Sequence, residues 1–121
     1  MRKKAAIINR VFFSTFEFDK QWERMGLDDE DRNRLENEII NNPQIGSVIR
    51  DSGGLRKMRF PYTEKGKRGG ARVLYVNFVI FERIYLVTAY PKGVKDSITP
   101  AERRIYKTLI LQTEKELGGS I

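Results

Sequence analysis

The sequence has no cysteine and no histidine. Without cysteine there is no disulfide framework, no thiolate zinc site and no cysteine nucleophile. Without histidine there is no imidazole metal ligand and no ordinary general base that titrates near neutral pH. Catalysis by this chain must therefore draw on carboxylates, lysines, arginines or hydroxyls, and no metal or cofactor is expected. Long apolar runs are missing too. The start, Met1-Arg2-Lys3-Lys4, is basic, but the apolar stretch that follows breaks at Asn9-Arg10 before a signal-peptide core can form. No stretch approaches the roughly 18 apolar residues that span a bilayer, so no membrane partner is expected and the cytoplasm is the default location.

What is present is a chain of 121 residues, 40% hydrophobic and 32% charged, enough for one domain, 1–121, around one modest core. Lys and Arg number 23 against 16 Asp and Glu, a net charge of +7 that predicts a polyanionic partner, most often nucleic acid. The surplus is segregated. Residues 1–15 carry four positive charges and no negative ones, whereas residues 16–42 carry four positive and nine negative. Residues 50–72 hold eight cations (Arg50, Arg56, Lys57, Arg59, Lys65, Lys67, Arg68 and Arg72) against Asp51 and Glu64. Nearly the whole excess thus sits on one 23-residue segment, opposite an acidic N-terminal third. Residues 1–8 are left open between folded structure and a flexible basic arm.

Residues 7–16 are rich in β-branched and aromatic types and predict a first strand. Phe18, Trp22 and Met25 recur at the spacing of one helical face, and Gly26 ends that helix. Asp28 is a good N-cap for a second helix, which runs through Leu35 and Ile39 to Asn41-Asn42-Pro43. The acidic run Asp28–Asp31 suits that helix's dipole and is read as a helix start rather than a metal site. Strands are predicted over 55–60, 71–80 and 84–90, with a polar Gly- and Lys-rich connection from Pro61 to Gly70. The turn near Phe81-Glu82-Arg83 is short, so the last two strands should form an antiparallel hairpin. Thr99-Pro100-Ala101-Glu102 is a capping box with proline at the first helical position, and the helix it opens places Tyr106, Leu109, Ile110, Thr113 and Leu117 on one face. The order β-α-α-β-β-β-α predicts a single α+β domain, an antiparallel sheet with two N-terminal helices and a C-terminal helix packed on a face.

The chemistry-bearing stretch begins at Leu55-Arg56-Lys57-Met58-Arg59-Phe60. Alternation puts Lys57 and Arg59 on one face and Met58 and Phe60 in the core, while Arg56 is not oriented by the pattern. Lys65-Gly66-Lys67-Arg68-Gly69-Gly70-Ala71-Arg72 follows, where glycines among cations let backbone N–H groups approach a phosphate. Lys92 and Lys95 come after the last strand, and Tyr90 offers a stacking surface for a base. Each of these alone is what a solvated strand face or a plain loop also shows. Together they crowd like charges on one concave surface and call for a counter-anion.

The runs Gly53-Gly54-Leu55-Arg56-Lys57-Met58-Arg59, Gly66-Lys67-Arg68-Gly69-Gly70-Ala71-Arg72-Val73-Leu74-Tyr75 and Tyr85-Leu86-Val87-Thr88-Ala89-Tyr90-Pro91-Lys92 resemble the RelE/ParE superfamily of bacterial toxins. Within it the chain looks most like the HigB-type branch, whose signature is a GGLRK strand and a GKRGG loop, and the resemblance covers roughly residues 16–117. It implies a RelE-like fold and the toxin of a type II toxin–antitoxin system. The activity it implies is a ribosome-dependent, metal-independent endoribonuclease that cleaves mRNA in the ribosomal A site. The implied partners are the mRNA, the ribosome and a cognate antitoxin, the toxin being otherwise monomeric. In the RelE pattern Lys57 and Arg59 match two strand cations, Arg72 the arginine opening the next strand, and Lys92 the basic residue after the last. Lys67 and Arg68 belong to the loop of the HigB-like branch. The C-terminal tyrosine of the RelE branch corresponds to Ile98, so that role is vacant or taken elsewhere.

Metal-free RNA cleavage needs the 2′-OH activated, charge on the phosphorane-like transition state stabilised, and a proton for the leaving 5′-oxygen. Planar guanidinium groups suit the second task, which falls to Arg68 and Arg72. An amine crowded by other cations gives up its proton more readily, so Lys57, Lys67 or Lys92 is assigned proton transfer. Arg56, Arg59, Lys65, Tyr90 and Lys95 are expected to bind RNA. The rival readings are a ParE-like gyrase poison, which has no need of Lys57, Arg59, Arg72 and Lys92, and a non-catalytic nucleic-acid-binding module.

Overall fold

The computed structural model describes residues 10–61, 70–95 and 97–119. Five strands form one sheet in the order β1-β5-β4-β3-β2: β1 Val11–Ser14, β2 Ser47–Val48, β3 Arg56–Phe60, β4 Ala71–Phe78 and β5 Arg83–Pro91. Helices α1 Phe16–Arg24, α2 Asp29–Asn41 and α3 Pro100–Gly119 complete the α+β domain.

Each helix starts where its capping residue dictates. Thr15 accepts from the Phe18 N–H, Asp28 and Asp31 form a reciprocal capping box, and Thr99 and Glu102 form another. The acidic run Asp28–Asp31 is thereby committed to starting α2. Gly26, at φ 76°, takes the left-handed turn between α1 and α2.

The helices cover both faces of the sheet, not one. Phe18 and Trp22 of α1 and Leu35 and Ile39 of α2 pack with Met58, Phe60, Val73, Tyr75, Ile84 and Leu86. Tyr106 and Ile110 of α3 pack on the other face with Leu55, Leu74, Val76, Tyr85, Val87 and Tyr90. The reason is in β4 and β5, where Val73–Val76 and Ile84–Tyr90 are buried without alternation, and a central strand apolar on both faces needs two covers. A second difference lies at the edge. β3, β4 and β5 pair antiparallel as expected, but β1 joins β5 in parallel, with Phe12 beside Ile84 and Ser14 beside Leu86. Val79 and Ile80, expected at the end of a strand, instead lie exposed in the β4–β5 turn, closed by Glu82 at φ 55°.

Candidate RNA-binding and cleavage site

The β3–β4–β5 register brings the cations together. Arg59 lies opposite Arg72, and Arg72 lies opposite Tyr90. One rung inward, Lys57 lies opposite Leu74, and Leu74 opposite Thr88. Leu74 and Tyr90 pack in the α3-side core, so alternation puts Lys57, Arg59 and Arg72 on that same face. Residues directly opposite in such a ladder stand about 4.5–5.5 Å apart at Cβ, which sets two guanidinium groups and an aromatic ring side by side. Arg59 is exposed and Arg72 half-buried. The Nε of Arg72 is buried and has no hydrogen-bond partner among the described residues. A guanidinium with a buried, unpaired Nε beside a like charge is a site that an anion stabilises.

β5 carries an irregularity at this point: Leu74 pairs with Thr88 and Tyr75 with Leu86, leaving Val87 as the extra residue. A bulge of this kind re-aims the side chains that follow it. Ile84 and Leu86 face α1 and α2 before it, Ala89 after it. Val87 and Tyr90 both face α3. Thr88 meets α3 as well, because its Oγ1 donates to Glu17 Oε2 at 2.8 Å, the oxygen to which the Tyr106 hydroxyl donates at 3.2 Å. Burial, above all, pushes the Tyr106 hydroxyl up to about 12, so it stays a donor at neutral pH.

Several expected residues are placed differently. Arg56 shares the parity of Met58 and Phe60, and its Nη1 donates to the Gly46 carbonyl at 2.6 Å. It clips the loop after α2, and the structure does not bring it to the rung of Lys57 and Arg59. Tyr90 is only 6% exposed, and Lys95 Nζ stands 5.0 Å from its ring centroid. Tyr90 therefore floors the site and does not offer an open stacking face. Lys95 also pairs with Glu102 at 2.8 Å, tying the segment after β5 to the first turn of α3. Lys92 follows β5 at the base of the basic connection, its N–H donating to the Gly70 carbonyl at 3.0 Å. Lys65, Lys67 and Arg68 lie outside the described residues, as do residues 1–9.

Sequence reading did not bring Glu17, Thr88 and Tyr106 together. An acidic residue in a first helical turn reads as a dipole partner, and Tyr106 reads as helix core. The available signal was Thr88, a polar residue in an otherwise apolar strand and 3% exposed in the structure.

The three-layer arrangement and the strand order define a RelE-like α+β fold. Among solved structures, the chain is similar to a mutant of the E. coli toxin RelE in its free state, with a TM-score of 0.52 over 82% of this chain and 94% of that one, at 14% identity. No family profile matches the sequence. Among the described residues no helix is long and apolar enough to cross a membrane.

Proposed function

We propose that the chain is the toxin of a type II toxin–antitoxin system, of the HigB-like branch, and that it cleaves mRNA in the ribosomal A site without a metal. The observation that carries this reading is the Arg59–Arg72–Tyr90 rung on a RelE-like fold, with the Nε of Arg72 buried and without a partner among the described residues. In this reading Arg72, with Arg59 beside it and Arg68 from the basic loop, holds the scissile phosphate and stabilises its added charge. Lys57, Lys67 or Lys92 serves in proton transfer, and the ribosome aligns the RNA. A cognate antitoxin keeps the free toxin inactive, and the toxin is otherwise a cytoplasmic monomer.

In vitro translation with purified protein, followed by mapping of mRNA 5′ ends, tests the reading. Codon-positioned cuts that vanish in Arg72→Ala support it. Intact mRNA with linearised, gyrase-bound DNA moves the assignment to a ParE-like gyrase poison. Salt-sensitive RNA binding without any cut product leaves only a binding module.

A further inference from the structure

Glu17 sits in the first turn of α1, whose buried residues Phe18 and Trp22 face the opposite side of the sheet. Its carboxylate nevertheless reaches the α3 side, because β1 leads into α1 along the edge of β5. Thr15 N–H donates to the Leu86 carbonyl, and Thr15 Oγ1 donates to the Val87 carbonyl at 2.6 Å. The start of α1 is thus bolted to the bulge, and the bulge aims Thr88 at the helix start.

Two hydroxyls, from Thr88 and Tyr106, then converge on Glu17 Oε2. Thr88 is 3% and Tyr106 8% exposed, so the core fixes both donors, while Glu17 itself is exposed. Among the described residues no cation pairs with this carboxylate and no donor meets Oε1. Thr88 stands two residues before Tyr90, roughly 7 Å along the strand, and Tyr90 lies opposite Arg72. Glu102, the other carboxylate beside Tyr106, is spent: Oε2 takes Lys95 and Oε1 takes the Thr99 N–H. An ammonium holds its proton at neutral pH and suits the leaving group, whereas a carboxylate has already lost its proton and suits the nucleophile.

We propose that Glu17 is the general base of RNA cleavage, positioned by Thr88 and Tyr106; this rests on the nuclease reading above. The 2′-O–H bond breaks and its proton passes to Glu17 Oε1. The freed electron pair forms the 2′-O–P bond while Arg59 and Arg72 hold the non-bridging oxygens. The P–O5′ bond breaks, and the 5′-oxygen takes a proton from the Lys57 ammonium. The products are a 2′,3′-cyclic phosphate and a 5′-hydroxyl, and solvent returns Lys57 and Glu17 to their starting states.

The test is single-turnover cleavage on mRNA-programmed ribosomes from pH 5 to 9. Glu17→Gln keeps an acceptor for both hydroxyls and is expected to lose about 10²–10⁴-fold in rate, with ribosome binding retained. The acidic limb of the wild-type pH–rate profile should disappear with it. Tyr106→Phe removes one of the two donors that position the carboxylate, so the cleavage rate on bound ribosomes should fall while the ribosome concentration at half-saturation stays unchanged. Glu17→Gln cleaving at the wild-type rate overturns the proposal, as does a slow variant that keeps the acidic limb. A wild-type cleavage rate in Tyr106→Phe overturns the positioning role, as does a loss confined to ribosome binding. Wild-type protein that cuts nothing indicts the nuclease reading instead of Glu17, whereas Arg72→Ala that cuts normally overturns the phosphate-holding role given to Arg72 in this step.

Discussion

Arg59 and Arg72 face each other directly across the β3–β4 ladder. Like charges at such a position destabilise a sheet, whereas a well-matched pair contributes about 0.2–1 kcal/mol. Both arginines together are therefore a cost to the sheet, one that the scissile phosphate of the proposed function would offset. Replacing Arg72 with threonine, a good strand former, should leave unfolding free energy unchanged or raise it by up to about 1 kcal/mol. Cleavage should fall about 10²–10³-fold, the usual loss for one transition-state donor. Urea denaturation beside a cleavage assay measures both. A large loss of stability in Arg72→Thr would mean the guanidinium is a structural contact.

Gly70 closes the base of the basic connection with φ at 75°. A Cβ there would lie 2.4 Å from the Phe60 carbonyl oxygen and 2.8 Å from Pro61 Cα, both backbone atoms that cannot swing aside. Its carbonyl meanwhile accepts from Lys92 N–H. Gly70→Ala should cost about 1–3 kcal/mol through the strained φ alone, with the clash adding to it. Because the same residue joins the basic loop to β4, cleavage at a temperature where the variant stays folded should fall as well. Full activity in a folded Gly70→Ala protein would separate the loop's base from the site.

Glu102 is held below the usual carboxylate range by the hydrogen bond from Lys95, then by the Thr99 backbone N–H. The folded value thus lies below the unperturbed 4.5, so the group stabilises the fold at neutral pH. That contribution begins to fade as pH drops below 4.5 and is lost once pH passes the lowered folded value. Glu102→Gln should therefore be less stable than wild type at pH 7, and the gap should narrow as pH falls below 4.5 and close once pH passes the lowered folded value. Since Lys95 also covers the Tyr90 ring, Tyr90 should become more accessible in the variant, readable as a change in tyrosine fluorescence. A gap that does not narrow at all on acidification below pH 4.5 would assign the effect to packing.

The division of the chain into strands and helices was legible because its punctuation is strong: Asp28, Thr99-Pro100 and Gly53-Gly54 each mark an element end by a known local mechanism. The basic rung was legible too, since strand alternation alone puts Lys57 and Arg59 opposite Met58 and Phe60. What escaped was non-local. The bulge at Val87 depends on pairing with β4, and a parallel β1–β5 contact joins residues about 70 positions apart in the chain. Only those two features together bring Glu17 to Thr88. Arg56 could not be oriented for a related reason: its partner, the Gly46 carbonyl, belongs to a loop that no periodicity places.

That loop rests on Tyr75 as well. The Tyr75 hydroxyl donates to the Pro43 carbonyl at 2.8 Å and accepts from the buried Gly46 N–H at 3.1 Å. Tyr75→Phe keeps the ring in the core but strands both backbone groups, a loss of about 1–3 kcal/mol. Burial raises the ionisation of this hydroxyl above its ordinary 10.0. The neutral form's contribution is therefore complete below pH 10 and is lost as pH rises through the folded value. Denaturation of wild type and variant should show a constant gap from neutral pH to about 10, narrowing beyond it. Tyr75 faces α1 and α2, the side away from Arg72, so cleavage by the folded variant should be unchanged. A folded Tyr75→Phe protein that lost activity would couple the 43–46 loop to the site, which the register of β3 and β4 gives no reason to expect.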